Sequence, residues 1–265
     1  VSRKALALAF VLDREEERAL RDDGIVVIPD FLSESGFRNV RDEARRAVDR
    51  VEAVVPVRQR TQPGFGPQEP HPWGFDRYDG GTLNRFIDIQ PACMPNIHAL
   101  ASNRRIVRLC RAGLGMQRPP RRSMIYLTVN GDENHNHDIQ KDLHRDSYYR
   151  KMKYWYFLDP VTDDDGPFVY VPGSHKLTRQ RLAWECEQAR KRGIPGFFRD
   201  AAFRVLPSML AKIGLPEPRL MPVAENTLVI ADTFGFHRRG DAIPGSRRLA
   251  IYGQKKPWPF APVGI

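Results

Sequence analysis

The sequence predicts a mainly β chain with flanking helices: a jelly-roll or cupin barrel with a helical flank on its N-terminal side. Three observations carry this. From residue 122 onward, short β-branched and aromatic runs alternate with Gly, Pro and Asp turn signals. Helical periodicity is gathered mainly before that point. No repeat or low-complexity tract divides the 265 residues. One domain is therefore expected over 1–265, with a helical flank, an opening strand and a loop in 1–120 and most of the barrel in 121–265.

Asp13-Arg14-Glu15-Glu16 reads as a capped helix start, and Gly24 as its stop. Ile25-Val26-Val27-Ile28 is a buried strand closed by Pro29. Ser33 opens a second helix, along which Phe37, Val40, Ala44, Val48 and Val51 form one apolar stripe. Residues 61–81, rich in Gly and Pro, read as a long loop, either a lid or a surface excursion. A tight turn is expected over 77–81, then a strand over 82–89. One helix is expected over 95–114, with Ile97, Leu100, Ile106, Leu109 and Cys110 buried and its arginines in solvent. Strands follow over 123–129, 152–158, 167–171, 227–230 and 248–252. Asn130-Gly131 and Asp163-Asp164-Asp165-Gly166 read as turns. A polar helix over 178–192 belongs to an insertion near 178–215.

The net charge is +10 and the pI about 9.8. That charge fits a solvated basic surface, or attraction to an anionic substrate, carrier or membrane surface. No nucleic-acid partner is expected, because no recognised module is present and the arginines are spread along the chain. Cys93, Cys110 and Cys186 are odd in number and lack C-x-x-C spacing, which points to a reducing, cytoplasmic setting rather than disulfides or zinc. The apolar run 5–12 follows Arg3 and Lys4 but runs into the acidic stretch 13–17, so a packing helix is expected there rather than a signal peptide. No run is long enough to cross a bilayer.

The chemistry centres on Leu143-His144-Arg145-Asp146-Ser147. In an extended segment, side chains two residues apart share a face, so His144 and Asp146 can converge on one metal ion. His237, in Ala231-Asp232-Thr233-Phe234-Gly235-Phe236-His237, is the candidate third ligand. Two histidines and one carboxylate form the facial triad of non-haem Fe(II) oxygenases. Such iron needs an electron-donating co-substrate to activate O2. A 2-oxo acid serves, and its distal carboxylate calls for a guanidinium. Arg247 and Arg248 both suit, and strand alternation does not choose between them. Tyr126 and Thr128 share a face and can hydrogen-bond the same acid, or pack. Trp73, Tyr78, Tyr148, Tyr149 and Trp155 are candidate substrate contacts, set against plain packing. His135 and His137 are a rival pair in a polar loop near the site mouth. His175 reads as structural, and Ser174 lacks the glycine-flanked elbow of a nucleophile.

These segments, with Asp165-Gly166-Pro167-Phe168-Val169-Tyr170-Val171-Pro172-Gly173-Ser174-His175, Phe236-His237 and Ser246-Arg247-Arg248-Leu249, together resemble the phytanoyl-CoA dioxygenase family. Gly24-Ile25-Val26-Val27-Ile28-Pro29-Asp30-Phe31-Leu32 resembles its opening strand. The resemblance implies a double-stranded β-helix, Fe(II), and 2-oxoglutarate that is decarboxylated while a substrate is oxidised. It places the iron ligands at His144, Asp146 and His237. The family's arginine eleven residues beyond the distal histidine falls on Arg248. Where the family carries a small residue after that histidine, this chain has Arg238-Arg239. Halogenases of the superfamily replace the carboxylate ligand with a small residue; Asp146 is retained, which favours hydroxylation. The expected activity is hydroxylation of an unactivated C–H of a small or carrier-linked organic substrate. The alternatives are desaturation, epimerisation or ring formation at the same iron, or a non-catalytic barrel holding an anionic partner.

Overall fold

The computed structural model describes residues 14–58, 60, 65–114, 122–132, 137–191 and 203–255. Asp13, the apolar run 5–12 and His135 lie outside them. Two antiparallel sheets face each other. The larger has eight strands in the order β1-β11-β7-β13-β5-β4-β3-β2, the smaller five in the order β10-β8-β12-β6-β9. The ranges are β1 Ile25–Ile28, β2 Glu69–His71, β3 Gly74–Asp79, β4 Thr82–Asp88, β5 Arg122–Val129, β6 His144–Arg145 and β7 Met152–Phe157. They continue with β8 Phe168–Tyr170, β9 Phe203–Arg204, β10 Arg219–Met221, β11 Thr227–Asp232, β12 His237–Arg239 and β13 Arg247–Lys255.

Helices cover the outer face of the large sheet: α1 over 14–22, α2 Glu34–Val54, α3 Pro95–Ala101 and α4 Arg104–Leu114. A fifth, α5 Arg179–Lys191, lies beyond the small sheet. The apolar stripe of α2 buries Phe37, Val40, Ala44, Val48 and Val51. It packs on outward residues of the sheet such as Ile125, Leu127, Tyr154, Tyr156 and Ile251. Removing that area from water supplies the main driving force here, roughly 25 cal/mol per Å². Ser33 caps α2 through Gly36 N. Glu43, buried in α2, accepts from Asn96 N and Ile97 N and so caps α3, which has no side-chain cap of its own. Alternation along β7 sends Tyr154 and Tyr156 to the helices and Lys153, Trp155 and Phe157 between the sheets.

Gly24 ends α1 with a φ of +84°, and a Cβ there would meet His175 and Tyr170. Four local expectations are corrected. The stretch expected as a loop carries β2 and β3, which extend the large sheet; Pro70 fits because β2 is the edge strand and needs no further donor. The helix expected over 95–114 is two helices. Asn103 breaks it by accepting from Arg105 N at 2.8 Å, an offer that competes with the continuing helix. The arginines of α4 are not all simply solvated, since Arg105 and Arg108 lean on Glu16 of α1. Asn130-Gly131 is no hairpin turn. Asn130 is buried and donates to Ser246 Oγ at 2.9 Å, while Gly131 crosses Gly81 so closely that a Cβ would lie 2.1 Å from its carbonyl carbon. Among the described residues no helix is long and apolar enough to cross a membrane.

Candidate metal centre and its cavity

His144 opens β6 and His237 opens β12, and the two are directly paired across antiparallel strands. Their ring centroids lie 4.7 Å apart. Asp146 stands just beyond β6, so strand alternation alone does not place it. Its backbone N–H donates to Thr233 O at 3.1 Å, which ties it to the segment leading into β12. The ligand atoms of His144, Asp146 and His237 lie within 4.8 Å of one another, and this group could hold a metal ion. Each imidazole is oriented by a backbone carbonyl: Nδ1 of His144 on Asp142 O at 2.7 Å, Nδ1 of His237 on Gly235 O at 2.9 Å. A carbonyl only accepts, so both protons sit on Nδ1 and both Nε2 lone pairs stay open for a metal.

Burial lowers the pKa of both histidines; His237 falls to about 3, although Asp146 opposes the shift. Burial acts to raise Asp146, but Lys153, His237 and Lys151 prevail and hold its carboxyl well below the usual range. Lys153 Nζ lies 2.8 Å from Asp146 Oδ2. Burial acts against the charge of Lys153 and Asp146 outweighs it, so its pKa stands above the ordinary lysine value. At neutral pH the group is two neutral imidazoles and one carboxylate, the protonation state a divalent metal needs.

His144 and His237 line a cavity of about 150 Å³ between the sheets. Its walls are the inward residues of β5, β7 and β13: Tyr126 and Thr128; Lys153, Trp155 and Phe157; Arg248, Ala250 and Tyr252. Arg248 pairs with Thr128 across β13 and β5. Arg247 points the other way and pairs with Glu52 of α2. Arg248 donates from Nη1 to Gly166 O, while its Nε is buried without a partner, as is Thr128 Oγ1. Two unmatched buried polar groups at paired positions of neighbouring strands fit a carboxylate guest. Burial first, and Arg239 second, lowers the pKa of Arg248 to about 10, which leaves it charged at neutral pH.

Trp155 lines the cavity with its ring 4.9 Å from that of Phe168. Trp73 packs part-buried on the helix-side core. Tyr78 is buried under Arg60, whose guanidinium carbon lies 4.8 Å from the ring centroid. Tyr148 and Tyr149 stand edge to face over a separate shallow depression with His175 and Phe234. None of these four lines the cavity of the triad. His137 is exposed and pairs with Asp142, and His175 pairs with Arg21 O. Sequence reasoning missed Lys153 and a buried network around Arg239. Arg239 donates to Asp138 Oδ2 at 2.5 Å and to Asn84 Oδ1 at 2.6 Å; the Tyr126 hydroxyl also donates to Asn84 Oδ1, at 2.5 Å. Alternation from His237 does put Arg239 on its face. Nothing in the sequence announced that Asp138 would meet it.

Two histidines on paired antiparallel strands and a carboxylate just beyond one of them have the composition of a 2-His-1-carboxylate metal site. The chain belongs to the phytanoyl-CoA dioxygenase family, which it matches over residues 20–194. No curated protein matches it. Among solved structures it is similar to the epimerase SnoN in complex with Fe3+, alpha ketoglutarate and nogalamycin RO, at 16% identity and a TM-score of 0.56, covering 92% of this chain and 83% of that one. It is also similar to the non-heme alpha ketoglutarate dependent carbocyclase SnoK from nogalamycin biosynthesis (18%, TM-score 0.52, 91% and 82%). A third is HygX from Streptomyces hygroscopicus with nickel, 2-oxoglutarate and hygromycin B bound (18%, TM-score 0.51, 93% and 88%). At these identities the likeness is one of fold.

Proposed function

We propose that this chain is an Fe(II)- and 2-oxoglutarate-dependent dioxygenase, acting as one domain, that hydroxylates an unactivated C–H of a small or carrier-linked organic substrate with release of succinate and CO2. The convergence of His144, Asp146 and His237 carries the reading. These three residues would hold Fe(II), and Arg248 with Thr128 would receive the distal carboxylate of 2-oxoglutarate. Bound iron and 2-oxoglutarate together supply the activation of O2. The protein's part is positional. Backbone carbonyls fix both imidazoles, Lys153 holds one oxygen of Asp146, and the aromatic walls exclude water and keep the substrate carbon near the metal. The retained Asp146 supports hydroxylation over halogenation. Cys93, Cys110 and Cys186 are all free thiols, in keeping with a cytoplasmic setting.

The test is substrate-stimulated succinate formation by anaerobically loaded enzyme. Asp146→Ala should abolish it; retained turnover would overturn the ligand assignment. A second reading keeps the iron site and changes the outcome to epimerisation, ring formation or desaturation. It is favoured by the likeness to SnoN and SnoK, an epimerase and a carbocyclase. Product mass separates them: hydroxylation adds an oxygen atom, desaturation or ring closure removes two hydrogens, epimerisation changes nothing.

A further inference from the structure

The cations around the cavity outnumber the carboxylates that answer them. Among the described residues Arg77, Lys153, Arg238, Arg239 and Arg248 line it, and none of the lining residues is an Asp or Glu. Behind the wall, Asp79 holds Arg77, Asp138 holds Arg239 and Asp146 holds Lys153. Arg248 donates to a backbone carbonyl, and in the function proposed above it is taken by the co-substrate. Arg238 donates to the carbonyl of Arg239 at 3.1 Å, and its carboxylate partner among the described residues is Asp241, at 3.5 Å and with 85% of that side chain exposed, where water screens the pair. A cleft lined by one sign of charge concentrates ligands of the other sign.

The space between these cations is aromatic. Phe86 stacks on Tyr126 with centroids 4.6 Å apart and planes 4° from parallel. Tyr126 meets Tyr252 at 5.7 Å, Tyr252 meets Trp155 at 5.9 Å, and Trp155 meets Phe168 at 4.9 Å. This belt runs from β4 across β5, β13 and β7 to β8 and ends against the His237 ring, 5.5 Å from Phe168. Arg77 stands at its rim, one quarter exposed. Its Nε and Nη2 donate to Asp79 at 2.9 and 2.7 Å, and Phe65 lies beneath its guanidinium at 5.2 Å. The group is pinned in place before any ligand arrives, which lowers the entropy lost on binding. Its Nη1 edge remains for a guest.

We infer that the substrate is an organic anion with a flat, apolar body: the body lies along the aromatic belt, and its carboxylate or similar oxyanion is met by Arg77 at the rim. This names the substrate class for the function proposed above and rests on it. The test uses the full chain loaded with Ni(II) and saturating 2-oxoglutarate, so that Arg248 is already engaged. Naphthalene-1-acetate and 3-phenylpropanoate are titrated by calorimetry beside their primary amides. The acids should bind at least about tenfold more tightly than the amides, and only acid binding should weaken with added salt. Arg77→Gln should erase the preference, and Arg77→Lys, which keeps the charge without the two-pronged grip, should restore part of it. Arg38→Gln, on the exposed face of α2, should change nothing. Equal binding of acids and amides, no binding of either, or a preference that survives Arg77→Gln would overturn the inference. So would acid binding that appears only when 2-oxoglutarate is left out, because the co-substrate site would then explain it. Failure of 2-oxoglutarate itself to bind the nickel protein would sink the proposed function instead, and would be read in a separate titration.

Discussion

The two oxygens of Asp146 face different groups. Oδ2 faces Lys153 Nζ at 2.8 Å, with Lys151 Nζ farther off at 3.8 Å, and Oδ1 faces His237 Nε2 at 3.7 Å. The lysine thus restricts the carboxylate to offering one oxygen on the side of the histidines. Groups that orient a metal ligand in this way are worth about 10- to 100-fold in metal affinity or activity. Lys153→Met should reduce succinate formation by about that factor. Lys153→Arg, which keeps a donor, should recover part of it. Equal rates for the methionine variant and the parent would show that the pair plays no part in turnover.

Protonation of the histidines gives a second expectation. Burial sets the folded pKa of both His144 and His237 below the ordinary histidine value of 6.5. The unfolded chain therefore binds more protons than the folded one as pH falls below about 6.5, so folding stability drops on acidification. For His237, with a folded value of about 3, the slope approaches about 1.4 kcal/mol per pH unit between those limits. The metal-free protein should melt at lower temperature at pH 5 than at pH 7, and His237→Gln should flatten that dependence. An identical slope in parent and variant would count against the burial of this ring.

Arg248 and Thr128 separate cleanly from Arg247. A hydrogen bond between charged groups is worth about 1.5–3 kcal/mol and a neutral one about 0.5–1.5. Arg248→Gln should raise the KM for 2-oxoglutarate by about 10- to 100-fold, and Thr128→Val by about 2- to 10-fold. Arg247→Gln should leave it unchanged, because that side chain is engaged with Glu52 on the outer face. Steady-state kinetics with 2-oxoglutarate as the varied reactant decide the matter.

Asp138 and Arg239 are 101 residues apart in sequence and both are buried. Removing one charge of such a pair strands the other and costs about 3–5 kcal/mol. Asp138→Ala should lower the unfolding free energy by about that amount in urea. Metal affinity should fall as well, since the pair ties the stretch leading to His144 against the strand of His237. A variant as stable as the parent would mean that water already answers the guanidinium.

The sequence showed the metal group better than its surroundings. His144 and Asp146 announce themselves by spacing, and the stripe of α2 by its period. Arg248 is singled out by resemblance alone, because alternation does not say which arginine faces inward; in the structure β13 turns Arg248 toward the cavity and Arg247 toward α2. Lys153 was hidden because it sits in an aromatic strand, and periodicity gives its side but not its partner. The break at Asn103 was hidden because apolar spacing continues across it, and only a side-chain cap reveals it. The first hairpin of the large sheet was hidden by its own Gly and Pro, which signal loops unless the strand lies at an edge.

That edge has a consequence for how molecules of this protein meet. β2 is three residues long and Pro70 is its middle residue. A neighbouring chain seeking to add a strand there finds a short template with one amide donor missing. The margin of the large sheet is thus closed to extension by its own covalent chemistry, and runaway sheet-to-sheet polymerisation is blocked on that side.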